Sequence, residues 1–352
     1  MTNNRSPGVH VFMDCGAPSL YNKLSRKTEG GGSTVMGAHI RNRRKDNFDY
    51  VKTEEYLAYR QDFVDFIKLN GHVIDTYPNL DVINNAELTY ENQKWLEAQG
   101  LKPCPVWHLG SDKKWLERYL SEGYGYICVG GMVPNSKSVL RPALDRLWSD
   151  YLTDKEGMPI VKIHGFAMTS FDLMYRYPWY SVDSKSWIDI AKFGGVLLPP
   201  LKPGGGRDYL YPSKVMLTPR SVGSHASDHH YWTTTEGRRR GVLRYLEEVQ
   251  VPFGKSELKA VELEYELLEN EQWAVDPAKK KGPAQIPNLL RQHITPKKPG
   301  LVEVVLEMGA SNTHYYRLDV NIQLYRKIEE IVPAWPWKLP RAIKRGKAGL
   351  LS

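Results

Sequence analysis

Tyr124–Gly131 reads YGYICVGG. Tyr126, Ile127, Cys128 and Val129 make an unbroken apolar run closed by glycines, without the polar alternation of a half-solvated sheet. Such a run is predicted to be a strand covered on both faces, the habit of parallel sheets. Its flanks agree. Upstream, SDKKWLERYLSEG (111–123) has a helical pattern, with Ser111 as the expected cap and Gly123 as the stop. Downstream, Leu140, Leu144, Leu147 and Tyr151 recur at helical spacing.

The same alternation extends outward. Toward the N-terminus lie a strand at CPVWHLG (104–110), a helix at TYENQKWLEAQG opening on Thr89, and the extended VIDTYPNLDVI (73–83). A helix at TEEYLAYRQDFVDFIKLNG, capped by Thr53, and a strand at VHVFMDCGA (9–17) precede them. Toward the C-terminus lie strands at PIVKIHGFAM (159–168), YPWYSVDSKSW (177–187) and GGVLLPP (194–200). Residues 201–300 break the pattern with PGGGRD, EGRRRG and AKKKGP, and read as a basic insertion with a helix near RRGVLRYLEEVQ. LVEVVLEMGAS (301–311) is expected to return as the last strand, followed by a helix and a basic tail. Repeated strand–helix units totalling about eight strands favour a TIM-like (β/α)8 barrel. The expected division is 1–200 for the first barrel strands and the active site, 201–300 for the inserted subdomain, and 301–352 for the closing strand, helix and tail.

The chain has 352 residues, 41% of them apolar, which suffices for a sizeable core. Its formal charge of +8 and pI of about 9.1 favour a polyanionic partner. Cys15, Cys104 and Cys128 lie far apart, so neither a disulfide framework nor a paired-cysteine zinc site is expected, and a reducing compartment is. No apolar run approaches the length of a membrane span, and no membrane association is expected.

Polar groups or glycines stand where each strand should end: Asp14, Asp81, His108, Gly130 and Gly131, His164 and Asp183. In a parallel barrel those ends converge on one mouth, where active sites lie. Two carboxylates without a metal cluster suit acid/base and nucleophilic work at an anomeric carbon. Arg41, Arg43 and Arg44, and Arg238, Arg239 and Arg240, are candidates for phosphate contacts. His225, His229 and His230 could bind a metal but read more simply as an ordinary loop; neither metal nor cofactor is expected.

From Val11 to Trp187 the ordered motifs resemble the tRNA-guanine transglycosylases, and more closely their DNA-acting relatives, the DpdA-type phage and bacterial 7-deazaguanine transglycosylases. DCGA resembles the family's Asp-Ser-Gly-Gly/Ala motif, which implies that Asp14 is the acid/base. LDVI places Asp81 where an acid reads the base edge, and PVWHLG puts His108 in place of a base-contacting amide. GYICVGGM resembles the segment along which the base lies, implicating Gly130, Gly131 and Met132. KIHGFAM puts His164 where a side chain stacks on the base, and YSVDS supplies Asp183 as the nucleophile. Two departures stand out: Pro18 replaces an aromatic, and the Cys-x-Cys-x-x-Cys zinc motif of the tRNA enzymes is missing. The resemblance implies a cytoplasmic enzyme that replaces guanine in DNA with a 7-deazaguanine base such as 7-cyano-7-deazaguanine. The rivals are a tRNA-acting enzyme, a nucleoside hydrolase and a barrel that binds nucleic acid without catalysis.

Overall fold

YICVG forms β2 (Tyr126–Gly130), paired in parallel with β1 (Val106–His108) on one side and β3 (Lys162–Gly165) on the other. Beyond β3 lies β4 (Ser181–Val182), also parallel. Val106 stands opposite Cys128, Cys128 opposite His164, and His164 opposite Ser181. Ile127, Cys128 and Val129 are fully buried, as the unbroken apolar run requires. These features come from a computed structural model that describes residues 10–28, 48–133, 135–168, 170–218, 229–261, 267–273 and 300–340.

Two more segments extend the order through single parallel bridges, Pro78 to Cys104 and Phe12 to Thr76. Six segments, near residues 12, 76, 106, 128, 164 and 181, therefore run side by side in chain order. In a flat sheet the first and fifth would be about 19 Å apart, at ~4.8 Å per step. Instead the Phe12 and His164 rings stack with centroids 4.1 Å apart, so the sheet curls toward its own first strand. The class is α/β with a parallel sheet. Among the described residues no strand closes that sheet into the expected eight-stranded barrel.

Helices α1 (Ala17–Thr28), α2 (Glu54–Asn70), α3 (Ala86–Ala98), α4 (Lys113–Ser121), α5 (Lys137–Leu147) and α6 (Phe171–Arg176) occupy the connections. Phe63, Val64 and Ile67 of α2 share a core with Leu80, Val82 and Leu96. Thr53 caps α2 as expected, its hydroxyl accepting from the Tyr56 N–H. The next two caps differ from expectation. Asn85, not Thr89, caps α3, and Asp112, not Ser111, caps α4. The Thr89 hydroxyl is already committed inside α3, to the carbonyls of Asn85 and Val82.

Met1–Asp183 with Ala334–Ser352 forms one unit and Ser184–Pro333 another. The second unit overturns two expected barrel strands. GGVLLPP supplies β5 (Gly195–Leu198), which pairs antiparallel with β6 (Ser213–Met216). LVEVVLE lies in β9 (Gly300–Glu307), which sits between β7 (Lys255–Val261) and β8 (Gln272–Trp273), antiparallel to both. Val304 and Val305, successive residues on opposite faces of β9, are both buried, so an apolar run alone does not tell an antiparallel strand from a parallel one. In the same unit lie α7 (Ser186–Lys192), the expected α8 (Glu236–Glu248) and α9 (His314–Ile331). The buried Asn321 ties α9 to its neighbours, accepting from the Leu197 N–H and donating to the Trp187 carbonyl. No helix among the described residues is long and apolar enough to cross a membrane.

Candidate active site

Asp183 follows β4 directly, and its backbone N–H extends the ladder to the Gly165 carbonyl. Its side chain is 56% exposed. Oδ1 accepts the Ala167 N–H at 2.8 Å. Ala167 holds φ +52°, a left-handed conformation that costs a non-glycine residue on the order of 1 kcal/mol or more. That strain aims the N–H at the carboxylate. Nε2 of His164 lies 3.4 Å from the same oxygen.

His164 is 2% exposed. Phe12 stacks on its ring, and Phe166 meets it edge-on with centroids 4.8 Å apart. Both the stack and the burial exclude the expected stacking of a base on His164. Its Nδ1 lies 2.6 Å from Oγ of Ser181, which lies 2.5 Å from the Tyr126 hydroxyl. Burial pushes the Tyr126 phenol well above its ordinary pKa, against the opposing Ser181 hydrogen bond.

A second cluster joins the neighbouring strand ends. Oδ2 of Asp81 lies 2.9 Å from Nε2 of His108, with side chains 8% and 16% exposed respectively. The Cys15 thiol points at Oδ1 of Asp81 across 3.5 Å. Burial, then the charges of Asp81 and Asp14, push that thiol well above its ordinary pKa, so it acts as a protonated donor and not as a nucleophile. The His108 ring lies against Gly130, where a Cβ would come within 2.5 Å of Cδ2. Gly130 thus makes room for an imidazole, where the expectation was a base. Gly131 is exposed, whereas Met132 is buried behind it. Asp14 is exposed at the end of the first segment. In the turn after it, Gly16 holds φ +71° beneath the Tyr59 hydroxyl, which donates to the Cys15 carbonyl.

The structure therefore brings Asp183 together with His164, and Asp81 with His108, at the C-terminal ends of parallel segments. Ser181, Tyr126, Ala167 and Phe12 were not anticipated. Ser181 carried a readable signal, since strand alternation puts it on the face of Asp183 two residues later. Arg238, Arg239 and Arg240 lie in the first turns of α8, in the second unit; Arg238 donates to Ser213 and Arg240 pairs with Glu236. Arg41, Arg43, Arg44 and His225 lie outside the described residues. His230 is buried, its Nε2 against the Thr218 carbonyl and its Nδ1 accepting the Trp232 N–H. Among the described residues no three His, Cys, Asp or Glu side chains stand close enough to share a metal.

No family model, curated protein or solved structure matches the chain.

Proposed function

We propose that the protein exchanges guanine in DNA for a 7-deazaguanine base through an ester at Asp183. The observation that carries this reading is the Asp183 carboxylate: half-exposed at a strand end, held at Oδ1 by a strained backbone N–H, and open at Oδ2. A carboxylate fixed by one oxygen and free at the other suits attack on a sugar carbon.

In the first step an Oδ2 lone pair forms a bond to C1′ as the C1′–N bond to guanine breaks. The bonding pair leaves with the base, which takes a proton from Asp14. In the second step the incoming base gives its ring N–H proton to the Asp14 carboxylate. Its nitrogen bonds to C1′, and the ester pair returns to Asp183. One glycosidic bond replaces another, so the reaction needs no nucleotide hydrolysis. The Asp81–His108 pair would meet the base edge, with Gly131 alongside and Met132 behind. A duplex base must first be flipped out, at a cost of a few kcal/mol, which phosphate contacts by basic residues would offset.

DNA is favoured over tRNA by the missing zinc motif, while the charge of +8 suits either polyanion. The test is exchange of labelled guanine, run in parallel on duplex DNA and tRNA, with nucleoside mass spectrometry after supplying 7-cyano-7-deazaguanine. Incorporation into DNA is expected. Incorporation into tRNA alone would overturn the choice of polymer, and no exchange on either would overturn the reaction.

A further inference from the structure

We propose that His164 is a positioning residue whose Nε2–H, fixed by a hydrogen-bonded chain from Tyr126 through Ser181, holds Oδ1 of Asp183 and leaves Oδ2 as the attacking oxygen. The inference deepens the exchange mechanism and rests on Asp183 being its nucleophile.

A neutral imidazole carries one proton, on either nitrogen. The two tautomers require opposite directions of hydrogen bonding along Tyr126, Ser181 and His164. In one, the Tyr126 hydroxyl donates to Oγ of Ser181, Ser181 donates to Nδ1, and the proton sits on Nε2, facing the carboxylate. In the other, Nδ1 donates to Ser181, Ser181 donates to Tyr126, and a bare Nε2 lone pair faces a carboxylate oxygen 3.4 Å away. The second sets the lone pair of a buried nitrogen against a carboxylate oxygen and leaves that nitrogen no donor to accept from, which is costly. It also leaves the Tyr126 proton needing another acceptor, and burial keeps that phenol protonated. Only the first arrangement uses every donor and acceptor in the chain once.

The ring cannot turn away to escape this choice. Phe12 covers one face, and Phe166 meets the ring edge-on. At 3.4 Å the contact to Oδ1 is long, and Nε2 makes no hydrogen bond in the resting geometry. Catalytic hydrogen bonds commonly tighten only once substrate is bound. The Ala167 N–H already holds the same oxygen. Two donors on Oδ1 leave Oδ2 to form the bond to C1′ while the C1′–N bond breaks and its pair departs with the base. Oδ1 becomes the carbonyl oxygen of the ester, and His164 keeps its proton throughout. When the ester is cleaved, the same donors stabilise the returning charge, so their loss slows both halves of the exchange.

The test has two readouts on the full chain. Long-range ¹⁵N–¹H correlations on histidine-labelled protein report the tautomer, with the His164 signals assigned by their disappearance in His164→Gln. Wild type is expected to show Nε2–H and Ser181→Ala a mixture; an Nδ1–H tautomer in wild type overturns the proposal. The second readout is single-turnover formation of the covalent adduct on DNA. Ser181→Ala, which does not touch Asp183, should slow it on the order of tenfold, as loss of one ordinary hydrogen bond would, with the KM for the incoming base unchanged. His164→Gln keeps an N–H near the Nε2 position and should restore most of the rate lost in His164→Leu. A Ser181→Ala protein with wild-type tautomer and rate overturns the chain. Wild type with the Nε2–H tautomer but no adduct on DNA or tRNA would overturn the exchange reaction and the attacking-oxygen assignment, while supporting the hydrogen-bonded chain itself.

Discussion

If Asp183 is the proposed nucleophile, a single substitution there should separate chemistry from binding. Asp183→Asn keeps the size of the side chain and an oxygen for the Ala167 N–H, but removes the nucleophilic charge. Both exchange and the denaturation-resistant adduct with DNA should vanish while DNA affinity holds; near-normal turnover would refute the assignment. Asp14→Asn removes the proton donor that the proposed exchange requires and should lower exchange by about 10²–10⁴-fold, the usual contribution of a positioned acid or base, as measured by guanine release. Ala167 makes a third test, because its conformation and not its side chain matters. Ala167→Val puts a β-branched residue at φ +52° and should cost about 1–3 kcal/mol in chemical denaturation. Ala167→Gly should leave stability within about 1 kcal/mol of wild type. The positions of Asp183, Asp81 and His108 near the ends of parallel segments were legible in the sequence, because each follows an extended, largely apolar stretch. The Tyr126–Ser181–His164 chain was not, because it depends on the register of β2, β3 and β4, which no local stretch encodes.

At the scale of elements, α3 and the residues flanking α4 meet through a cluster of charges and phenols. Glu122 accepts from Lys94 at 2.6 Å, Tyr90 at 2.6 Å and Arg118 at 3.1 Å. Partial burial acts to raise the Glu122 carboxyl, but these bonds outweigh it and hold the pKa at about 2, below the ordinary 4.5. A carboxyl depressed on folding contributes stability that is full above its unfolded pKa and is lost as pH falls through the folded one. Glu122→Gln should therefore cost about 1 kcal/mol at pH 7, since a side chain 27% exposed is screened. Denaturation midpoints of the two proteins should converge as pH falls from 4.5 to about 2. Helix existence was readable from apolar spacing, and Thr53 was identified as a cap, but Asn85 and Asp112 were displaced in the reading by the neighbouring Thr89 and Ser111. Any of these residue types can cap a helix, so composition alone does not choose between neighbours.

For the whole molecule, the parallel half was legible because βα units repeat with apolar strands, whereas in residues 184–333 the helices α8 and α9 and the strands β5 and β9 were legible and the pairing of those strands was not. The expected return of 301–311 to the barrel failed because a strand long and apolar enough to be found says nothing of its partner. β9 pairs with β7, which lies within the stretch read as an insertion. If DNA is held through its phosphates, affinity should fall by about 0.9 log units per log unit of salt for each phosphate neutralised. Replacing Arg238, Arg239 and Arg240 with glutamine should weaken binding across unrelated sequences and flatten that slope in a fluorescence titration; an unchanged slope would remove them from the interface. The contact between Phe12 and His164 has a further consequence, for the order in which the protein is made. Phe12 leaves the ribosome long before its partner, and contacts so distant in sequence close late in folding. The stack of Phe12 on His164 cannot form until the fifth parallel segment has been added and the sheet has wound back on its beginning. A half-synthesised chain would then lack the buried surroundings of His164, and the carboxylate at 183 would find its neighbours only in the completed unit.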